Sequence, residues 1–331
     1  MASEEKRIIE QKKSALVTGA SGFIGRYLVQ GLLADGMKVY ALTRSVSKSE
    51  TLKGTTIVTG DITEGVAIPE DVSTVYHCAG VIYNEGLMER VNVIGTEKVA
   101  TAAQNKGCRL IHLSSAGVVG NSGDANIDEQ SPCSPQNRYE RTKHEAENIL
   151  NRAAGSGLRV QMLRPTIVFG MGRAPEKDSF LQLIRAIKSG RYRHIGKGQG
   201  IYNIIHANEV ARAMKALDDD NLANCGTYLI NNPLTFDEFA KIALDETAGL
   251  KTSVKSIPYA AALPAALLFS AASLITGKKM PLTLSRLKAL TDRRIFSQRI
   301  LLGKTTYSPE RSVEEYLRQT CREYRERGLL V

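Results

Sequence analysis

Short apolar runs alternate with amphipathic stretches through the first half of the chain. Residues 14–18, 38–43, 56–59, 74–78, 109–113 and 159–163 have the length and apolar, β-branched content of buried strands. Between them, 25–35, 88–106 and 137–154 carry apolar residues at helical spacing. This alternation predicts an α/β fold, a Rossmann-type doubly wound parallel sheet with helices on both faces. Right-handed crossovers then bring the carboxyl ends of the strands to one edge, where such sheets take their ligands.

After Pro165 the rhythm changes. A Gly- and charge-rich stretch runs over 170–200 with a helix near 178–188, followed by a strand at 202–205, a helix at 208–217 and a strand at 227–230. From 235 onward the pattern is mostly helical. The expected organisation is a dinucleotide-binding domain over 12–169, to which 201–232 returns, and a smaller, mainly helical substrate-binding lobe from 170–200 and 233–331. Within that lobe, 256–277 holds no charge, with Lys255 before it and Lys278 and Lys279 after it. Its length would suffice to span a bilayer. Pro258, Pro264 and its high alanine content favour two other readings, a buried lid helix over the substrate or a peripheral contact with an anionic membrane.

With 331 residues, 43% apolar and 24% charged, the chain can bury a large core, which excludes a disordered or disulfide-stapled protein. Five cysteines without a C-x-x-C pair imply reduced thiols in a cytoplasmic setting, and the polar stretch 1–13 lacks the apolar centre of a signal peptide. No metal site is expected, because there is no HExxH and no Cys/His cluster. Of the net charge of +10, +7 falls in the last 59 residues. Absent Trp and sparse aromatics argue against a nucleic-acid partner.

The candidate chemistry begins at Thr18-Gly19-Ala-Ser21-Gly22-Phe23-Ile24-Gly25, which joins the first strand to the first helix. Gly19 would permit the tight turn, Gly22 close approach of the backbone to a pyrophosphate, and Gly25 helix–strand packing, with the helix amides and dipole facing the phosphates. An acidic residue at the end of the second strand would hold the ribose of NAD. Here the strand ends Thr43-Arg44, and an arginine fork with Lys48 beside it suits the 2′-phosphate of NADP(H), which is favoured over NAD(H). The alternative is that Arg44 stacks on the adenine of NAD. Tyr139 and Lys143 lie one helical turn apart, so an ammonium stands where it can lower a phenol pKa from its usual value of about 10.

The glycine spacing resembles the extended branch of the short-chain dehydrogenase/reductase superfamily, the NAD-dependent epimerase/dehydratase family. The likeness continues in order through Asp61-Ile62, His77-Cys-Ala79-Gly80, Asn92-Val-Ile-Gly-Thr96, Leu113-Ser-Ser115-Ala-Gly, Tyr139-Glu-Arg-Thr-Lys143 and Leu163-Arg-Pro165-Thr-Ile-Val168-Phe-Gly170. The resemblance implies that Asp61 and Ile62 contact adenine and that Ala79 and Gly80 lie beneath the cofactor. It further implies that Pro165 and Val168 frame the nicotinamide carboxamide, and that Asn92 joins the active-site edge to the sheet unless it merely caps a helix. Ser115 and Tyr139 would bind the substrate oxygen, and Lys143 would also hold the nicotinamide ribose. His112 and His144 are read as structural.

Ala116-Gly117 replaces the acidic pair of some sugar-nucleotide dehydratases. The carboxyl-terminal half resembles the 3β-hydroxysteroid dehydrogenase and dihydroflavonol reductase branches. The expected activity is NADP(H)-dependent alcohol/ketone interconversion on a lipophilic small molecule. The alternatives are a nucleotide-sugar epimerase or dehydratase, and a non-catalytic NADP-binding sensor or assembly protein. Relatives pair through 88–106 and 137–154, so the resemblance implies a homodimer.

Overall fold

The computed structural model describes residues 13–44, 52–120, 125–248, 254–277, 280 and 282–330. Seven strands form one sheet: β1 (Ser14–Thr18), β2 (Lys38–Thr43), β3 (Thr56–Thr59), β4 (Thr74–His77), β5 (Arg109–Leu113), β6 (Val160–Pro165) and β7 (Cys225–Ile230). Their order is β7-β6-β5-β4-β1-β2-β3, with β1 parallel to β2 and β4, β2 to β3, β4 to β5, and β5 to β6. Every residue of β1, β4 and β6 is buried, so both faces carry apolar residues rather than alternate positions only, with Ser14, Thr18, Thr74, His77, Gln161 and Arg164 as buried polar members. The order reverses at β1, so the crevice at its carboxyl end is the topological switch point.

Crossover helices near the site are α1 (Phe23–Ala34), α2 (Gly95–Lys106) and α3 (Arg138–Gly155). The single helix expected over 88–106 is instead interrupted. A short helix at Glu85–Met88 passes through a π turn at Glu89–Ile94 before α2 begins. The π turn re-aims Asn92, whose side chain bonds outside the helix, and such turns recur at functional sites. Asn137 caps α3 by accepting from the Glu140 amide at 2.9 Å.

The chain divides into two compact units. The first is Met1–Ser114 with Asn137–Leu163 and Met214–Gly226; the second is Ser115–Gln136 with Arg164–Ala213 and Thr227–Val331. The division differs from the expected boundary at 169/170, because 115–136 and 201–213 pack within the second unit. That unit holds a small sheet of Asn232–Thr235, Ile201–His206 and Ile167–Phe169. Against it lie α4 (Ser179–Lys188) and α5 (Phe236–Ala248), with a core of Phe169, Phe180, Tyr202, Phe239, Tyr316 and Tyr324.

Also in the second unit, α6 runs over Tyr259–Thr276 beside α7 (Leu284–Thr291). Pro258 caps α6, and Pro264 sits inside it, past the first turn, without ending it, at the loss of the one amide that would bond to the Ala260 carbonyl. The burial expected of a lid helix is confined to Ala262 and Ala266, which pack with Ile195 and Leu287. Leu263, Ala265, Ser270, Ala272 and Ser273 are half-buried and the other side chains are open, with Leu268 at 73%, Leu274 at 87% and Ile275 at 85% exposure. By length and composition this helix could cross a membrane.

Candidate active site

The amino end of α1 meets the switch point through residues 19–25. Gly19 has φ +66°, and a Cβ there would lie 2.6 Å from the Ala79 amide nitrogen. Gly22 donates its amide to the Gly19 carbonyl at 2.8 Å and caps α1 without a side-chain hydrogen bond to the first turn. A Cβ on Gly25 would come within 2.1 Å of the Gly19 carbonyl oxygen, so only glycine lets α1 sit this close to the loop. Ser21, Phe23 and Ile24 are half-buried around it. A backbone cradle that a Cβ would fill, opening onto the amides of a helix amino terminus, fits a dinucleotide pyrophosphate.

Arg44 follows β2 directly and is exposed, while Lys48 lies outside the described residues. Asp61 follows β3. Its carboxyl is held below the ordinary value first by the Thr63 amide, which donates at 2.8 Å, and further by the charges of Arg44 and Arg90. Ile62 is buried, and its Cδ1 would be 2.7 Å from a Cβ on Gly95.

Beneath Gly19, the chain after β4 is fixed by a hydrogen-bond series. The Ala79 amide donates to Thr18 Oγ1 at 3.3 Å, and Thr18 Oγ1 lies 2.7 Å from His77 Nδ1. On the other side of the ring, His77 Nε2 is 3.0 Å from Thr96 Oγ1, whose hydroxyl donates to the Asn92 carbonyl at 2.6 Å. Burial lowers the His77 pKa to about 3, so this ring is neutral. The Asn92 side chain accepts from the Val81 amide at 2.8 Å and donates to the Val81 carbonyl and to Thr142 Oγ1. Asn92 thus ties the loop that follows Gly80 to α3.

Tyr139 and Lys143 are both on α3, Tyr139 half-buried and Lys143 only 3% exposed. Lys143 Nζ donates to the Leu113 carbonyl at 2.6 Å and lies 3.2 Å from His112 Nε2. Burial pushes the ammonium down to about 8, against the opposing influence of Glu147 and Cys78. Two serines follow β5. Ser114 is buried and donates to Glu147 at 2.5 Å. Ser115, the first residue of the second unit, is half-buried and accepts from the Gly117 amide at 3.1 Å, capping a short turn. Pro165 closes β6, and Val168 lies in the strand Ile167–Phe169 of the same unit. Sequence reasoning passed over Thr142, Glu147, the hydrogen bonds of Thr18 and the contact of His112. The one available signal was a charged or polar residue inside otherwise apolar periodicity.

A glycine cradle at the switch point of a doubly wound sheet defines the class, that of dinucleotide-dependent enzymes of Rossmann type. The profile of the NAD dependent epimerase/dehydratase family matches residues 15–230, and the chain belongs to that family. It is an NAD(P)-dependent oxidoreductase of the extended short-chain dehydrogenase/reductase type. A 4-hydroxy-2-methyl-3-oxo-4-farnesyl-3,4-dihydroquinoline-1-oxide ketoreductase of Stigmatella aurantiaca is 29% identical over 76% of this chain and 78% of its own. A 3β-hydroxysteroid dehydrogenase/Δ5→4-isomerase of Mycobacterium tuberculosis is 30% identical over 70% of this chain and 68% of its own. Among solved structures, UDP-glucose 4-epimerase of Thermotoga maritima with UDP-glucose superposes with a TM-score of 0.72 at 20% identity, covering 95% of this chain and 99% of that one. At that identity the likeness concerns the fold alone.

Proposed function

We propose that the protein interconverts a secondary alcohol and a ketone on a lipophilic substrate, sterol-, flavonoid- or keto-acid-like, with NADP(H) preferred over NAD(H). The observation that carries this reading is the buried Lys143 ammonium one helical turn from Tyr139. An ammonium in a dry site favours the phenolate, so the Tyr139 hydroxyl can exchange a proton with the substrate oxygen near neutral pH. Ser115 hydrogen-bonds the same oxygen. Its choice over Ser114 is supported by the engagement of Ser114 with Glu147. The cofactor, when bound, supplies or accepts the hydride.

In this reading Gly19, Ser21, Gly22, Phe23, Ile24 and Gly25 hold the pyrophosphate, and Asp61 and Ile62 receive adenine. Arg44, aided by Lys48, grips the 2′-phosphate, which would displace the attraction of Arg44 to Asp61. Ala79, Gly80, Pro165 and Val168 flank the nicotinamide, while Asn92 positions the 79–81 loop. Residues 12–169, with 201–232, serve the dinucleotide, and 170–200 with 233–331 serve the substrate. The names of the ketoreductase and hydroxysteroid dehydrogenase relatives support a lipophilic ketone or alcohol.

A lipophilic substrate partitions into membranes, and the open flank of α6 suits a peripheral contact with an anionic bilayer from the cytoplasmic side. Its exposed Leu268, Leu274 and Ile275 are followed in the chain by Lys278 and Lys279, which lie outside the described residues, and by the exposed Arg286 and Lys288. Two copies are proposed to pair through 88–106 and 137–154, where Ile94 remains exposed.

The test is consumption of NADPH and NADH against ketosteroids, β-keto acids, flavonoid ketones and nucleotide sugars. Turnover of a ketone of the first three groups is expected. Reaction with nucleotide sugars alone would overturn the reading, as would tight NADP binding with no turnover of any of them.

A further inference from the structure

His112 is fully buried in the middle of β5, in a run that is otherwise apolar after Arg109. Its two nitrogens have opposite fates. Nε2 faces Lys143 Nζ at 3.2 Å, and Nδ1 is buried with no hydrogen-bond partner. A buried polar atom left unpaired is costly and rare, and it leaves Nε2 as the ring nitrogen with a partner. The neighbouring His77 is different, because both of its nitrogens are engaged by threonine hydroxyls. The two rings are 5.1 Å apart and tilted by 41°, so the locked His77 ring bounds the position of His112.

Lys143 Nζ has three protons and no acceptor capacity when charged. The Leu113 carbonyl takes one, at 2.6 Å. A neutral imidazole with its proton on Nδ1 presents a lone pair at Nε2 and can take a second. The third is left for a ligand. We propose that His112 is a positioning residue, whose Nε2 accepts from the Lys143 ammonium and, with the Leu113 carbonyl, keeps that ammonium charged and aimed within the site. The proposal rests on the reading of Lys143 as the charge that serves Tyr139.

The surroundings agree with a neutral His112. Burial, then the Lys143 charge and then His77, push its pKa well below the ordinary value. The other groups facing Lys143 are accounted for. Glu147 on α3 accepts from Ser114, and the Cys78 thiol after β4 is pushed up to about 12 by burial and stays neutral. Tyr139 lies one turn away on α3. Among the described groups that face Lys143, Glu147 brings opposite charge, and its carboxylate is shared with the Ser114 hydroxyl.

The first arm of the test uses the native apoprotein. Long-range proton–nitrogen correlation of the His112 ring should show the proton on Nδ1, and a proton on Nε2 would overturn the proposal even if no variant folds. The second arm follows the Lys143 ε-carbon resonance of the apoprotein with pH. In His112→Leu its midpoint should fall by about one unit or more, a tenfold loss of ammonium at a given pH. His112→Gln, which restores an acceptor, should bring the midpoint back to within about half a unit. The alkaline limb of kcat should move down with the midpoint in the leucine variant. An unchanged midpoint and pH profile in His112→Leu, with Lys143→Met inactive, would remove His112 and leave the site reading intact. A Lys143→Met protein that keeps turnover would instead remove the site reading.

Discussion

Leu274→Gln with Ile275→Gln tests the proposed membrane contact apart from everything else in the molecule. The two side chains are 87% and 85% exposed in the last turn of α6, so the folded protein gains almost nothing from them. Exposed substitutions of this kind change stability by no more than about 0.5 kcal/mol. Glutamine keeps the helix propensity and avoids placing a carboxylate against the helix dipole. In lipid the balance reverses. Full burial of a leucine or isoleucine side chain gives about 1.5–3 kcal/mol, and nearly all of that remains to be gained here. The pair should then carry about 3–5 kcal/mol of membrane affinity, or roughly 100- to 5,000-fold in partitioning. Cosedimentation with phosphatidylcholine–phosphatidylglycerol vesicles at low salt measures this directly. Native protein should bind, weakly at high salt, and the double variant should not. Native protein that ignores anionic vesicles at low salt would refute the reasoning. A large fall in Tm of the double variant would refute it differently, by showing that these side chains are already buried against protein.

Tyr139→Phe keeps the ring and its packing, so kcat should fall by about 10²–10⁴-fold while NADPH affinity, followed by fluorescence, changes little; a variant retaining a tenth of the native kcat would exclude proton transfer by this hydroxyl. Arg44→Ala should weaken NADPH by about 1.5–3 kcal/mol, the value of a hydrogen bond to a charged group, with little change for NADH. Equal losses for the two cofactors in titration calorimetry would assign Arg44 to adenine instead. Stability should fall on acidification from about pH 6.5 towards 3, because burial holds His77 and His206 at about 3 while the unfolded chain binds protons near 6.5. The sign follows from the unfolded state carrying the extra protons, and a Tm that stays level or rises over that interval would count against neutral burial.

The elements that depend on local pattern were legible in the chain itself. All six expected strands of the first half fall within a residue or two of β1 to β6, because a buried parallel strand announces itself as a short apolar run between helical stretches. The glycine loop was equally readable, since its spacing encodes a turn and a close approach that a Cβ would obstruct. The i, i+4 spacing alone put Tyr139 and Lys143 on one helical face. What the tertiary structure decided was burial and the choice of partners for polar groups. Glu147 lies 33 residues from Ser114, yet it takes that hydroxyl, a distinction between the two adjacent serines that the sequence offered only through the family resemblance of Ser115. His112 looks like a structural residue until strand order and helix packing bring Lys143 onto it from 31 residues away. The π turn at Glu89–Ile94 follows from the same cause, because the partners of Asn92 lie on a distant loop and on α3. For α6, composition allowed a buried lid, a span or a surface contact; its exposure depends on how much neighbouring chain is left to cover it, a sum over the whole fold that no local window contains.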